Sequence, residues 1–138
     1  MRRCGPIGLA LACAIVSIAA HADSTRACGT FVHKLPNVSR ALCEEARLTE
    51  SGARSVRGQP LYVRDVAPPD ARLRVLVIGA IHGDELSSAS VALHWIRLAQ
   101  DPLVQMPQAV HWRFIPALNP DGLLARPPRR VNASGVDL

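Results

Sequence analysis

From residue 61 onward the apolar positions change rhythm three times. Leu61 to Val66 is rich in β-branched and aromatic residues and predicts a strand. Ala67-Pro68-Pro69-Asp70 ends it, because proline cannot extend a ladder. Leu73 to Ile78 is nearly continuous in apolar residues and predicts a central strand buried on both faces. Between Glu85 and Asp101 the period lengthens to that of a helix. Leu86, Ala89, Leu93 and Ile96 fall on one stripe, and Ser87, Ser90, His94, Arg97 and Asp101 on another. Asp84 is placed to cap this helix with its carboxylate, and Asp101-Pro102 ends it. Val110 to Ile115 predicts another strand, closed by Pro116. Strand, helix and strand in this order imply an α/β fold with a βαβ core at about residues 61–116, parallel strands and a right-handed crossover.

The region before this core is less regular. Residues 23–58 are mixed and polar, with a helix expected around Ser39–Leu48 and a turn at Ser51–Ser55. The first residues have the form of a secretory signal. Arg2 and Arg3 precede an apolar stretch from Ile7 to Ala20, and Ala20-His21-Ala22 puts small residues where signal peptidase reads, so cleavage is expected after Ala22. The stretch falls short of the roughly 20 residues that span a bilayer. Cleavage removes Cys4 and Cys13 and leaves Cys28 and Cys43, an even pair in an oxidising compartment, for which a disulfide is expected.

Charge narrows the possible partners. The 16 basic residues exceed the 11 acidic ones, and Lys34 is the one lysine among them. They are scattered, with a short cluster at Arg126, Arg129 and Arg130, and no basic stripe carries interleaved aromatics, which argues against nucleic-acid binding. With 49% hydrophobic and 20% charged residues the composition is that of a globular chain.

Three blocks could carry chemistry. Gly79 to Glu85 lies where the apolar strand gives way to the helix, beyond the carboxyl end of a strand, which is where open α/β sheets bind ligands. There His82 and Glu85, separated by two residues across a glycine turn, could bring an imidazole nitrogen and a carboxylate oxygen to one cation; the same spacing also describes a loop histidine and a first-turn glutamate. Ile115 to Gly122 contains Asn119-Pro120 and Asp121-Gly122, which read on physical grounds as a surface turn. Arg129 to Leu138 offers Arg130 as a fixed positive charge for a carboxylate or developing oxyanion, or as part of a solvated loop.

In order along the chain, Gly52–Pro60, Val77–Glu85, Ile115–Gly122 and Val131–Leu138 resemble the zinc metallocarboxypeptidase family, the carboxypeptidase A-like hydrolases, and most closely its bacterial murein peptide amidase branch. The resemblance implies a carboxypeptidase-like mixed or parallel sheet with flanking helices and a Zn2+ cofactor. It also implies a peptide substrate, of murein type in that branch. His82 and Glu85 match the first two zinc ligands, and Asp137 matches the carboxylate that orients the zinc histidine. Arg130 looks like the arginine that polarises the scissile carbonyl, with Arg129 adjacent to it, and Asn119 and Asp121 match the family's structural turn.

The family's third zinc histidine and catalytic glutamate lie further along than Leu138, and neither His33, His94 nor His111 is placed to substitute. The expected organisation is a signal peptide over 1–22, an N-terminal arm over 23–51, and a truncated zinc carboxypeptidase-like domain over 52–138 that lacks the C-terminal part of the fold. It has an exposed sheet edge and little activity of its own. The expected location is secreted or periplasmic, away from the membrane once the signal is removed. Two other functions fit parts of the pattern. An acylamino-acid zinc hydrolase of desuccinylase or aspartoacylase type shares His-x-x-Glu, and a secreted α/β fragment could serve without catalysis.

Overall fold

The computed structural model describes residues 22–104 and 109–138, so the expected signal, apart from Ala22, lies outside the described residues. In chain order the elements are α1 (helical residues 22–31), α2 (Arg40–Glu45), β1 (Thr49–Arg54), β2 (Pro60–Val66), β3 (Leu73–Ile78), α3 (Leu86–Gln100), β4 (Val110–Ile115) and α4 (Pro120–Leu124). The four strands form one mixed sheet in the order β1-β2-β4-β3. β3 and β4 run parallel, pairing Leu73 with Val110 through Ile78 with Ile115, and α3 connects them as the βαβ reading requires. β2 joins β4 antiparallel, and β1 joins β2 antiparallel with an irregularity between Glu50 and Arg54.

The core lies on one face of this sheet. Alternation along β4 turns Val110, Trp112 and Phe114 inward, where they join Ala89, Leu93 and Ile96 of α3 in one core. Trp95 stands 5.5 Å from Trp112 and 6.4 Å from Phe114 between ring centroids, extending the contact by aromatic packing. Ser90, expected on the polar stripe, is buried instead. Its hydroxyl donates to the Leu86 carbonyl one turn back, which satisfies it within the helix.

The segment before β1 packs more tightly than its mixed composition suggests. Phe31, Leu35, Leu42 and Leu48 are buried in the same core, and Phe31 meets Tyr62 edge-on at 6.1 Å. A disulfide joins Cys28 on α1 to Cys43 on α2, with their Cα atoms 5.6 Å apart. The helix expected over Ser39–Leu48 is shorter, Arg40–Glu45, because Arg47 takes a left-handed backbone at φ 48° and stops it. Its Ser39 accepts the amide of Leu42 as N-cap.

Three expectations are corrected. Ser51 to Arg54 belongs to β1 rather than to a turn; the reversal falls later, where Gly58 N–H donates to Ser55 O. β3 is not a central strand buried on both faces. It is the sheet edge among the described residues, and Leu73 and Leu76 are 48% and 55% exposed. An unbroken apolar run marks what a strand could bury, and only its neighbours decide whether it does so. The Asn119–Gly122 block is a buried short helix rather than a surface turn, with Asn119 2% and Asp121 6% exposed.

Candidate active site

The loop between β3 and α3 is shaped by backbone contacts before any side chain enters. Gly79 accepts from Leu118 N and Ala80 from Asn119 N, which ties the end of β3 to the start of α4. Ala80 is fully buried at φ 41°, a left-handed backbone that costs energy for a residue with a Cβ. It is held there in part by its amide, which donates to the Ser88 hydroxyl at 2.8 Å, while that hydroxyl donates to Glu85 O at 2.7 Å. Ser88 thus locks the loop onto the first turn of α3, a role its place in the helical pattern did not suggest. Gly83 lies against α4 so closely that a Cβ there would stand 2.2 Å from the Gly122 carbonyl carbon.

The expected Asp84 cap does not form. Glu85 occupies the N-cap position of α3 and makes no side-chain cap bond. Its carboxylate turns to His82 instead, with Oε1 2.9 Å from Nδ1. On the other side of the ring, Nε2 lies 3.1 Å from Asp137 Oδ1. The imidazole therefore sits between two carboxylates, with its side chain 19% exposed. When Nε2–H donates to Asp137, the Nδ1 lone pair faces a carboxylate oxygen, and a proton or another cation must lie between them. The donor separation is close to the roughly 3 Å kept by two ligands of one small ion, and imidazole with carboxylate is a donor set that suits zinc.

Asp137 arrives from far along the chain through a tight turn. Asn132 Oδ1 accepts the amides of Ser134 and Val136, and Gly135 supplies the φ of 81° that the reversal needs. Arg130 donates from Nε to Asp137 Oδ2 at 2.9 Å, and its Nη1 is 3.9 Å from Glu85 Oε1. Its carbonyl accepts from Gly83 N and from Asn119 Nδ2, so the arginine is pinned to the histidine loop and to α4 together. The hydrogen bond from Arg130 holds the Asp137 carboxyl below the ordinary carboxylate range, with His82 adding a smaller pull against partial desolvation. The same bond raises the Arg130 guanidinium further above its already high value. Arg129 takes no part in this group. Its amide donates to Gly122 O, and it lines a separate small cleft with Arg57 and Arg126.

His82, Glu85, Asp137 and Arg130 thus meet at one place beyond the end of β3. Asn119 and Asp121 stand behind them. Asn119 caps α4 by accepting the Gly122 amide, and Asp121 accepts from the Ser55 hydroxyl at 2.7 Å and from Arg57 N at 3.1 Å, binding the β1–β2 turn to α4. Among the described residues no group of three or more His, Cys, Asp or Glu is arranged to hold a metal ion, so His82 and Glu85 stand as a pair of donors.

Comparison with known proteins gives a consistent result. The family described as zinc carboxypeptidase matches residues 40–138. Carboxypeptidase SOL1 of Arabidopsis thaliana is 35% identical over 106 residues, covering 70% of this chain and 21% of that protein. Among solved structures, a metallo-carboxypeptidase from Pseudomonas aeruginosa, in complex with (2-guanidinoethylmercapto)succinic acid, superposes with a TM-score of 0.57 at 25% identity. The match covers 71% of this chain and 28% of that one. A metallo-carboxypeptidase from Burkholderia cenocepacia gives 0.57 at 26% identity, covering 81% and 30%. The chain therefore spans less than a third of the length of each of these relatives.

Proposed function

The chain belongs to the zinc carboxypeptidase family, and from that premise we propose that it is part of an exported zinc-dependent peptidase of metallocarboxypeptidase or murein peptide amidase type. The bond hydrolysed is an amide in cell-wall peptides, the γ-D-glutamyl–diaminopimelate link or a C-terminal residue. The observation that carries this reading is the imidazole of His82 held between Glu85 and Asp137 at 2.9 and 3.1 Å.

His82 Nδ1 and Glu85 Oε1 are the atoms that would hold the metal. Bound zinc supplies Lewis acidity, polarising the scissile carbonyl and making water more acidic. Asp137 accepts the Nε2 proton and so fixes the tautomer and ring angle that keep Nδ1 available. Arg130, always charged and anchored through its own carbonyl, donates to the carbonyl oxygen of the substrate as negative charge grows there. The backbone clamp of Gly79, Ala80 and Gly83 on α4 keeps these groups in place without waiting for substrate.

A catalytic zinc normally takes three protein ligands. The reading therefore assigns a third ligand, and a carboxylate to accept the proton of water, to a longer protein containing this chain. Residues 23–138 alone then bind zinc weakly and turn over no peptide at a useful rate. Export rests on the signal-like N-terminus; among the described residues no helix is long and apolar enough to cross a membrane.

The test is a paired assay of residues 23–138 and of a longer protein, measuring zinc content and hydrolysis of a γ-D-glutamyl–diaminopimelate peptide. In the longer protein His82→Ala and Glu85→Ala should release zinc and abolish activity. Arg130→Ala should lower turnover about 100-fold or more with zinc retained. Peptidase activity that survives His82→Ala refutes the site. Mass spectrometry of exported material should find Asp23 as the first residue, and an intact Met1 would refute export by cleavage.

A further inference from the structure

A second concentration of charge lies at the other end of the sheet. β2 runs antiparallel to β4, with Arg64 opposite Phe114 and Val66 opposite Trp112, so it leads away from the end that carries His82 and toward the last turn of α3. There a cleft of about 580 Å³ opens between β2, the end of α2 and the last turn of α3. Three arginines line it, Arg47, Arg64 and Arg97, from three different elements or their termini. Glu45 and Asp101 line it as well, but neither lies within ion-pair distance of any of the three, which leaves the cations in the majority.

Among the described residues none of the three arginines makes a side-chain hydrogen bond or ion pair. Arg64 Nε is sealed from solvent with no partner, a state that buried donors in native folds seldom keep. Burial, and after it the neighbouring charge of Arg47, pulls the Arg64 guanidinium below its ordinary range. Arg47 is presented by a left-handed residue at the end of α2, a backbone that glycine would adopt at lower cost. Arg97 sits in the last turn of α3, where the helix dipole favours a cation. Neighbouring like charges that no carboxylate pairs are the complement of an anion with several acceptor oxygens.

We infer that this cleft binds a phosphate or sulfate group, gripped by the guanidinium forks of Arg47 and Arg64 with Arg97 adding charge. Planar guanidinium groups match tetrahedral oxyanions in paired hydrogen bonds. The anion can come free or as a monoester. The cavity falls within the roughly 300–1,000 Å³ of small-molecule sites, and Val66, Ala99 and Pro102 give an organic portion an apolar wall.

Isothermal titration calorimetry of the purified full chain at low salt tests this, with inorganic phosphate, glycerol phosphate, and glycerol as the neutral control. Saturable binding of an anion is expected, weakened at least about tenfold by Arg64→Gln and by Arg47→Gln in protein shown by circular dichroism to be folded, and weakened again by added salt. Tighter binding of the ester assigns the monoester as ligand, and equal binding assigns the free anion; both support the site. No saturable binding of either anion, equal binding of glycerol, or unchanged affinity in both variants overturns it.

Discussion

Replacing Gly83 with alanine adds one methyl group at the point where the histidine loop crosses α4. That methyl would lie 2.2 Å from the Gly122 carbonyl carbon, 2.3 Å from Leu123 N and 2.5 Å from Gly122 Cα. Carbon atoms pack at about 3.5 Å or more, so loop and helix must part by about 1 Å. All three obstacles are backbone, and no side-chain rotation can relieve them. Parting them strains the bond from Gly83 N to Arg130 O and the clamp of Ala80 on Asn119. Overpacking in a core costs about 1–3 kcal/mol, and a collision between two backbones belongs at the upper end of that range. A loss of about 3 kcal/mol in a chain of this size lowers Tm by roughly 10 °C. The same displacement moves His82 and Glu85 relative to Arg130 and should weaken zinc binding. Thermal unfolding followed by circular dichroism reads the first effect, and competition with a zinc-chelating fluorophore reads the second. Gly29→Ala is the control. A Cβ there meets nothing within 4 Å, and the residue lies in α1, so stability should hold or rise by up to about 1 kcal/mol. Equal Tm values for Gly83→Ala, Gly29→Ala and the parent chain would refute the argument.

Other substitutions probe the parts that support the site. Cys43→Ser opens a bridge between residues 15 apart and should cost about 3 kcal/mol in urea unfolding, with reductant producing the same loss in the parent chain and none in the variant. Asp121→Ala removes a buried carboxylate that accepts from Ser55 and Arg57 and should cost about 2–3 kcal/mol, whereas Asp121→Asn should cost less because one oxygen acceptor remains. Asp65 accepts from Arg113 at 2.8 and 2.9 Å, and this bond above all, with a smaller one from His111, holds its carboxyl below the usual range against the effect of burial. Since the folded value is the lower one, this stabilisation is complete above the unfolded pKa of about 3.9 and fades as pH falls through the folded value. Asp65→Asn should therefore flatten the acid limb of stability below about pH 4 and cost no more than about 1 kcal/mol at neutrality, given its exposure. An unchanged acid limb would count against the assignment.

The sequence by itself determined the elements whose signal is local. The 3.6-residue period of Leu86, Ala89, Leu93 and Ile96 and the apolar run from Leu73 to Ile78 required no partner to be read as helix and strand, and their order implied the parallel pairing with β4 that is found. His82 and Glu85 were legible because three residues of separation at a strand-to-helix junction bring two side chains together. Tertiary structure decided whatever depends on a distant neighbour. The β3 run cannot say whether one flank or two will be covered, and its exposure at Leu73 and Leu76 follows from pairing with β4 alone among the described strands. Asn119-Pro120-Asp121-Gly122 has the composition of a surface turn and is buried because the β1–β2 turn and the Arg130 carbonyl close over it. Glu85 displaces Asp84 at the head of α3, yet aims its carboxylate at His82 instead of at the helix amides. Asp137 reaches the same imidazole across more than fifty residues of chain, and Arg47 and Arg64 become neighbours because β1, which follows Arg47, pairs with β2. Local sequence fixes backbone propensity and face, but a contact between distant residues exists only once the packing that joins them is formed.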